Sequence, residues 1–283
     1  MKWIKSPMNY TGGKYKLLND IIPIFPENID TFVDLFAGGL NVGINVNANK
    51  IIVNDQINYL IDLYKYFNNN ATDYIIKNIE DTINEYELSL TNTESYNKLR
   101  EDYNNSPSEG KLFVLICYAF NHQIRFNNNH KFNTPFGKER SSYNAKIKEN
   151  LIEFCNKLHS KDFEFYNNDF NNFNLNDLKN NDFVYCDPPY LISTGSYNDG
   201  KRGFKDWTLK EEKQLLNKLD KLNENGIRFA LSNVLIHKGN ENAELIEWSK
   251  KYIIHYLKKD YKNCSYHLKD KTSNTVEVLI TNY

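Results

Sequence analysis

The stretch VYCDPPY, residues 184–190, puts an acid at the end of an apolar run and follows it with two prolines and a tyrosine. Pro188 and Pro189 have no N–H to give a sheet, and the residue before each is driven toward extended geometry. Asp187 is therefore expected where a strand leaves its sheet, with the carbonyls that follow held stiffly and Tyr190 beside them. Such a corner can accept hydrogen bonds from a flat polar group while the ring stacks on it. The same residues also make an ordinary strand-ending turn, and taken alone the run favours that reading.

A second candidate lies upstream in DTFVDLFAGGLNVGINVNANKIIVNDQ, residues 30–56. Residues 31–35 read as a strand, Gly38-Gly39 as a turn, 41–47 as a short helix and 50–54 as a second strand ending at Asp55. This order of strand, glycine loop, helix, strand and acid suits nucleotide binding: glycines let a backbone approach a ligand, and the acid can accept from ribose hydroxyls. The match to GxGxxG is poor, and no phosphate-binding lysine follows the loop. A tight turn with a capping acid remains an equal reading.

These residues need elements to hold them. Helical periodicity runs through 57–67, 73–88, 95–103, 111–121 and 144–159. Strands are expected at 163–166, 183–186, 227–232, 252–257 and 275–281, with helices at 208–223 and 242–250. A helical insert thus interrupts an α/β domain: residues 1–57 and 161–283 form one part and residues 58–160 the other. The chain has 283 residues, is 40% hydrophobic and 25% charged, and carries a formal net charge of -1, so it has material for a sizeable core. No apolar run is long enough to span a bilayer, and no signal-peptide pattern opens the chain. The cysteines, Cys117, Cys155, Cys186 and Cys264, are scattered and form no CxxC pair. That favours neither a zinc site nor a disulfide framework and fits a reducing cytoplasm. The near-neutral charge argues against a protein that is basic throughout, so nucleic acid would have to meet a local basic face.

Five stretches in order, NYTGGK (9–14), DLFAGG (34–39), VNDQ (53–56), NDF (168–170) and DPPY (187–190), together resemble the Dam-type, D12-group DNA adenine methyltransferases. No single motif is specific, but the combination with the helical insert is. The resemblance implies a Rossmann-like S-adenosylmethionine-dependent methyltransferase sheet carrying a helical target-recognition insert, and a site-specific adenine methyltransferase activity. On that footing Tyr10 and Lys14 border S-adenosylmethionine, and Asp34, Phe36, Ala37, Gly38 and Gly39 surround its methionine moiety. Asp55 takes the ribose, Asp169 and Phe170 edge the adenine, and Asp187 adjoins the cofactor as well as the substrate. The implied partner is double-stranded DNA, with a cognate restriction endonuclease encoded nearby; a monomer or weak dimer is expected, with no metal and no membrane.

Within that resemblance the acid-proline corner gains a specific use. An exocyclic adenine amine is a weak nucleophile because its lone pair is delocalised into the ring. Asp187 and the Pro188 carbonyl, each accepting from that amine, draw it toward tetrahedral geometry and aim the lone pair, while Tyr190 stacks on a base flipped from the duplex. The segment AFNHQIRFNNNHKFNTPFG, residues 119–137, resembles the family's DNA-reading hairpin. Phe120 matches a wedge in the base stack, Arg125 a guanine reader and Pro135 a neighbour of a thymine methyl, with Asn121 and Asn133 in the same pattern. Asn9 stands where GATC-reading members usually carry Lys, and Gln123 where they carry an apolar residue. Both suit an adenine edge, so a target other than GATC is expected. Lys131, Lys138, Arg140, Lys146 and Lys148 are candidates for the basic face. An amino-group methyltransferase of RNA or protein, and a GATC-specific enzyme, stand as alternatives.

Overall fold

The computed structural model describes residues 2–10, 12–192, 207–257 and 275–283; Thr11 of the first motif and Cys264 lie outside these. A short helix α1 (Leu18–Ile21) precedes strands β1 (Ile29–Asp34) and β2 (Ala48–Asn54). Helices α2 (Asn58–Asn69), α3 (Thr72–Glu85), α4 (Thr93–Asn105), α5 (Glu109–Tyr118) and α6 (Ala145–His159) then intervene before β3 (Asp162–Tyr166). The remaining elements are β4 (Phe183–Cys186), α7 (Leu209–Glu224), β5 (Arg228–His237), β6 (Asn240–Glu241), α8 (Ala243–Ser249), β7 (Ile253–Tyr256) and β8 (Thr275–Thr281).

The main path of the sheet runs β3-β2-β1-β4-β5-β8-β7, with β6 paired to β5. The first five strands are mutually parallel, and β8 pairs antiparallel with both β5 and β7. This is the mixed α/β sheet of a Rossmann-like fold. Alternation along the strands divides the core in two. Phe32, Ile51, Val53, Phe183, Tyr185, Ala230 and Leu279 face one side, where α1, α2 and α6 pack. Val33, Val184, Phe229, Leu231, Val278 and Ile280 face the other, against Leu215 and Leu219 of α7 and Leu245 and Trp248 of α8. Both faces being covered is what strands this apolar require.

The abundant Asn residues find work at helix starts: the Asn92, Asn144 and Asn242 side chains accept from the first turns of α4, α6 and α8. Thr208 and Glu211 close a capping box on α7.

The expected helix at 41–47 is not formed. Only a one-turn 3-10 segment, Gly43–Asn45, is present, after Leu40 at φ 54°. Asn41 and Asn45 instead pin the N-terminal segment: Ser6 N–H donates to Asn41 Oδ1 and Ile4 N–H to Asn45 Oδ1. Three Asn residues, three β-branched residues and a Gly leave residues 41–47 little intrinsic helix preference. The expected helix at 111–121 stops at Tyr118, because Phe120 N–H bonds Pro135 O and Gly137 N–H bonds Tyr118 O, which turns the chain into a ribbon. The strand expected at 227–232 continues to His237, since β8 pairs along its whole length through a register shift between Val234 and Ile236.

Candidate active site

Strand order reverses between β1 and β4, neighbours whose onward connections run to opposite sides of the sheet. A crevice must open there beyond the carboxyl ends of the strands, and ligands of open α/β sheets bind in it. The loop after β1 is Leu35 to Gly39, and the loop after β4 is Asp187 to Tyr190. The pocket at this point is lined by Tyr10, Gly12, Gly13 and Lys14 from the N-terminal segment, by Asp34, Phe36, Ala37, Gly38, Gly39 and Asn41, by Asp55 after β2, and by Tyr185, Asp187, Pro188, Pro189 and Tyr190. Eleven of the residues singled out from sequence for catalysis or cofactor binding therefore meet in one pocket: Tyr10, Lys14, Asp34, Phe36, Ala37, Gly38, Gly39, Asp55, Asp187, Pro188 and Tyr190. Asp169 and Phe170 are not part of its lining. Phe170 is buried on the far side of Phe36, ring centroids 5.3 Å apart, and Asp169 Oδ1 accepts from Asn171 N–H.

The glycine loop is shaped by what touches it. Gly38 sits at φ +46°, and a Cβ on it would come within 3.0 Å of the Tyr10 ring. Asp55 Oδ2 accepts from Gly38 N–H at 2.8 Å, and its Oδ1 accepts from Ile57 N–H at 2.9 Å. Tyr64 OH donates to Gly38 O. Burial raises the Asp55 carboxyl to about 6 while these N–H groups pull it back down. At neutral pH Asp55 is largely ionised and still faces the pocket.

Asp34 differs. It is buried at the end of β1, with Oδ2 accepting from Gly43 N–H at 3.1 Å and Oδ1 left without any partner. Burial, with Asp187 and Asp55 adding repulsion, pushes its carboxyl to about 8. An acceptor oxygen stranded at a pocket wall is a vacancy for a donor that a ligand can bring.

The acid-proline corner is held by side chains distant in sequence. Lys14 Nζ lies 2.8 Å from Asp187 Oδ1 and 3.7 Å from Glu277 Oε1, and it also donates to Gly12 O. Tyr190 OH reaches Asp187 Oδ1 at 3.1 Å and Glu277 Oε1 at 3.4 Å, with Lys14 Nζ 5.0 Å above the Tyr190 ring. Burial raises the Asp187 carboxyl, Lys14 lowers it and Glu277 raises it. Oδ1 is thus taken up by Lys14 and Tyr190, while Oδ2 has no hydrogen-bond partner among the described residues and is open to an amine.

Two functional groups had no signal in the sequence. Glu277, on β8, enters the corner from the last strand. Glu212, fully buried on α7, accepts from Trp207 Nε1 at 2.6 Å, Asn242 Nδ2 at 2.9 Å and Asn233 Nδ2 at 3.3 Å. It fixes the Trp207 indole against Phe36 and Phe170, at 5.7 and 5.3 Å. Only pairings across the fold expose either role.

The residues expected to read DNA lie on the ribbon between α5 and α6. Bridges Ala119↔Phe136 and Phe126↔Phe132 make it hairpin-like, and the buried Phe126 and Phe132 anchor it. Phe120 is 37% exposed; Asn121, Gln123, Asn133 and Pro135 are exposed and Arg125 is half-buried. Among the described residues nothing takes a hydrogen bond from the Arg125 guanidinium. Asn9 Nδ2 donates to Asn121 O at 3.0 Å, which joins the pocket rim to the ribbon. Arg140 stacks over Phe120 at 5.1 Å. Lys146 and Lys148, counted with the basic face, are instead paired with Glu149 and Glu80; Lys131, Lys138 and Arg140 form no ion pair among the described residues.

Among the described residues no three His, Cys, Asp or Glu side chains group to hold a metal, and no helix is long and apolar enough to cross a membrane. A switch-point crevice with a glycine loop, an acid after β2 and an acid-proline corner fits the α/β methyltransferase class, and the family comparison shows it: the chain belongs to the D12 class N6 adenine-specific DNA methyltransferases, whose family model matches residues 10–263. It is similar to Type II methyltransferase M.FokI of Planomicrobium okeanokoites, 53% identical over 99% of this chain and 43% of that protein, and to Modification methylase StsI of Streptococcus sanguinis, 50% identical over 100% of this chain and 43% of that protein. It is also similar to the DNA adenine methylase of Escherichia coli K12, 26% identical over 91% of this chain and 88% of that protein. The chain spans less than half the length of the first two relatives.

Proposed function

We propose that this chain methylates the exocyclic amine of an adenine flipped out of duplex DNA, at a short site other than GATC. The observation that carries the reading is the Asp187 carboxylate, whose Oδ1 is fixed by Lys14 and Tyr190 while Oδ2 has no hydrogen-bond partner among the described residues. The residues fit S-adenosylmethionine: the Asp34 carboxyl, which a cationic ligand beside it would ionise, and the ionised Asp55 offer acceptors to a cationic ligand with ribose hydroxyls, and the Gly38-Gly39 turn lets it approach. When bound, that cofactor supplies an electrophilic methyl on a sulfonium. The chain does the rest. Tyr10, Phe36, Ala37, Gly38 and Gly39 enclose the methionine end and Asp55 orients the ribose; Asp169 and Phe170 edge the adenine only if the bound cofactor reaches past the pocket lining, since Phe170 packs against Phe36.

Asp187 Oδ2 and the Pro188 carbonyl accept from the target amine and localise its lone pair. Flipping costs a few kcal/mol, and stacking on Tyr190 returns about 1–3 kcal/mol. Residues 1–57 and 161–283 carry the chemistry, and 58–160 read the target through Asn9, Phe120, Asn121, Gln123, Arg125, Asn133 and Pro135. The modification-methylase relatives support a cognate endonuclease for the same site as the biological partner. We assign the protein to the cytoplasm, as a monomer or weak dimer. The test is methylation of a randomised duplex library with S-adenosylmethionine, read by sequencing that detects N6-methyladenine. The expected result is one short adenine-containing motif. Methylation confined to GATC would refute the altered target, and no adenine methylation on any duplex would refute the activity.

A further inference from the structure

The geometry points to Glu277 as a positioning residue that gives the methyl-transfer corner its net negative charge, by sharing Lys14 with Asp187. The inference rests on the adenine methyltransferase reading above. Lys14 is 5% exposed, with the two carboxylates at 2.8 and 3.7 Å. In so enclosed a place charges act through a low effective dielectric and their balance matters. Lys14 and Asp187 alone would cancel. Among the described residues, the other groups facing Asp187 are Tyr190 from its own loop, Tyr185 from β4, Asp34 from β1 and Glu277 from β8. Both phenols are pushed up by burial and stay neutral, and Asp34, at about 8, is mostly protonated near neutral pH. Glu277 is therefore the group that leaves the corner one charge negative.

That sign matches the reaction. A neutral amine uses its lone pair to form the new N–C bond, while the methyl–sulfur bond breaks and its pair stays on sulfur. The nitrogen is left positive until one N–H proton departs to water. A fixed negative corner stabilises the cation growing on nitrogen and requires no reorganisation when it forms. Glu277 touches Lys14 and Tyr190 and not the base, so its effect travels through them.

The test is Glu277→Gln, which keeps the shape and removes the charge. In the ligand-free chain, carbon NMR of the Asp187 carboxyl, assigned with Asp187→Asn, reads its titration. Loss of the Glu277 charge should move that titration to lower pH, a change that a packing role would not produce. In single turnover on the wild-type site the rate should fall roughly 10- to 100-fold, with S-adenosylmethionine affinity near the wild-type value. Glu277→Asp, which retains the charge, should keep both the Asp187 titration and most of the rate; this variant carries the test if the Gln variant melts early. An unmoved Asp187 titration with an unchanged rate, or an Asp variant as slow as the Gln variant, would overturn the inference. A wild type that methylates no duplex would instead refute the activity, while the titration would still decide the charge balance.

Discussion

Asp34 offers a perturbation whose size follows from its surroundings. Its carboxyl is raised from 3.8 to about 8 by burial, so the folded chain holds it protonated at neutral pH while the unfolded chain would ionise it. The sign follows: no penalty exists below the unfolded value, stability is lost as pH rises between the two values, and the loss levels off above the folded value. From 3.8 to pH 7 is roughly three units at about 1.4 kcal/mol each, a penalty of about 4 kcal/mol. Asp34→Asn removes it, because an amide does not titrate and its oxygen can still accept from Gly43 N–H. The amide nitrogen, standing where Oδ1 has no partner, is then a buried unpaired donor costing about 1–3 kcal/mol. The ligand-free variant should thus match the wild type near pH 5 and exceed it by about 2 kcal/mol at pH 7. Urea unfolding of both proteins from pH 5 to 9 measures this difference. A gap that stays constant across that range would refute the account of Asp34. The same variant should bind S-adenosylmethionine more weakly, which calorimetry can read.

Asp55→Ala should weaken S-adenosylmethionine binding, with duplex affinity little changed; calorimetry reads both. Glu212→Ala should unfold at a lower denaturant concentration by an equivalent of roughly 2–4 kcal/mol and loosen Trp207 from Phe36, seen as a change in tryptophan emission. Arg125→Ala should relax preference at one base pair on the randomised library by about 1–3 kcal/mol, whereas a uniform loss over all sequences would make Arg125 a phosphate contact.

Much of the scaffold was legible because its strands advertise themselves. Phe183–Cys186 and Thr275–Thr281 are runs of β-branched and aromatic residues, and both strands occupy the expected positions. The pocket-forming motifs were legible because glycines, prolines and acids at strand ends have few structural alternatives. What escaped depends on partners far away. Residues 41–47 look helical only until Asn41 and Asn45 are seen tied to Ser6 and Ile4. Lys148 looks like a free charge until α6 meets Glu80 of α3, whereas the Lys146 pair with Glu149 lies within α6, three residues on, and was open to a reading of the sequence. Glu277 and Glu212 are single acids in unremarkable strand and helix patterns, and only the folded sheet shows what they hold. No spacing rule reaches from residue 14 to residue 277.

The place of β8 has a consequence for synthesis. It follows β7 in chain order, yet it lies inside the sheet, between β5 and β7. Until it has left the ribosome, β5 lacks its antiparallel neighbour and the Lys14–Asp187 corner lacks its second carboxylate. A growing chain can form β1 to β5 and their helices first, but the corner is completed only by the contact of Lys14 with Glu277, and contacts of that sequence separation form late.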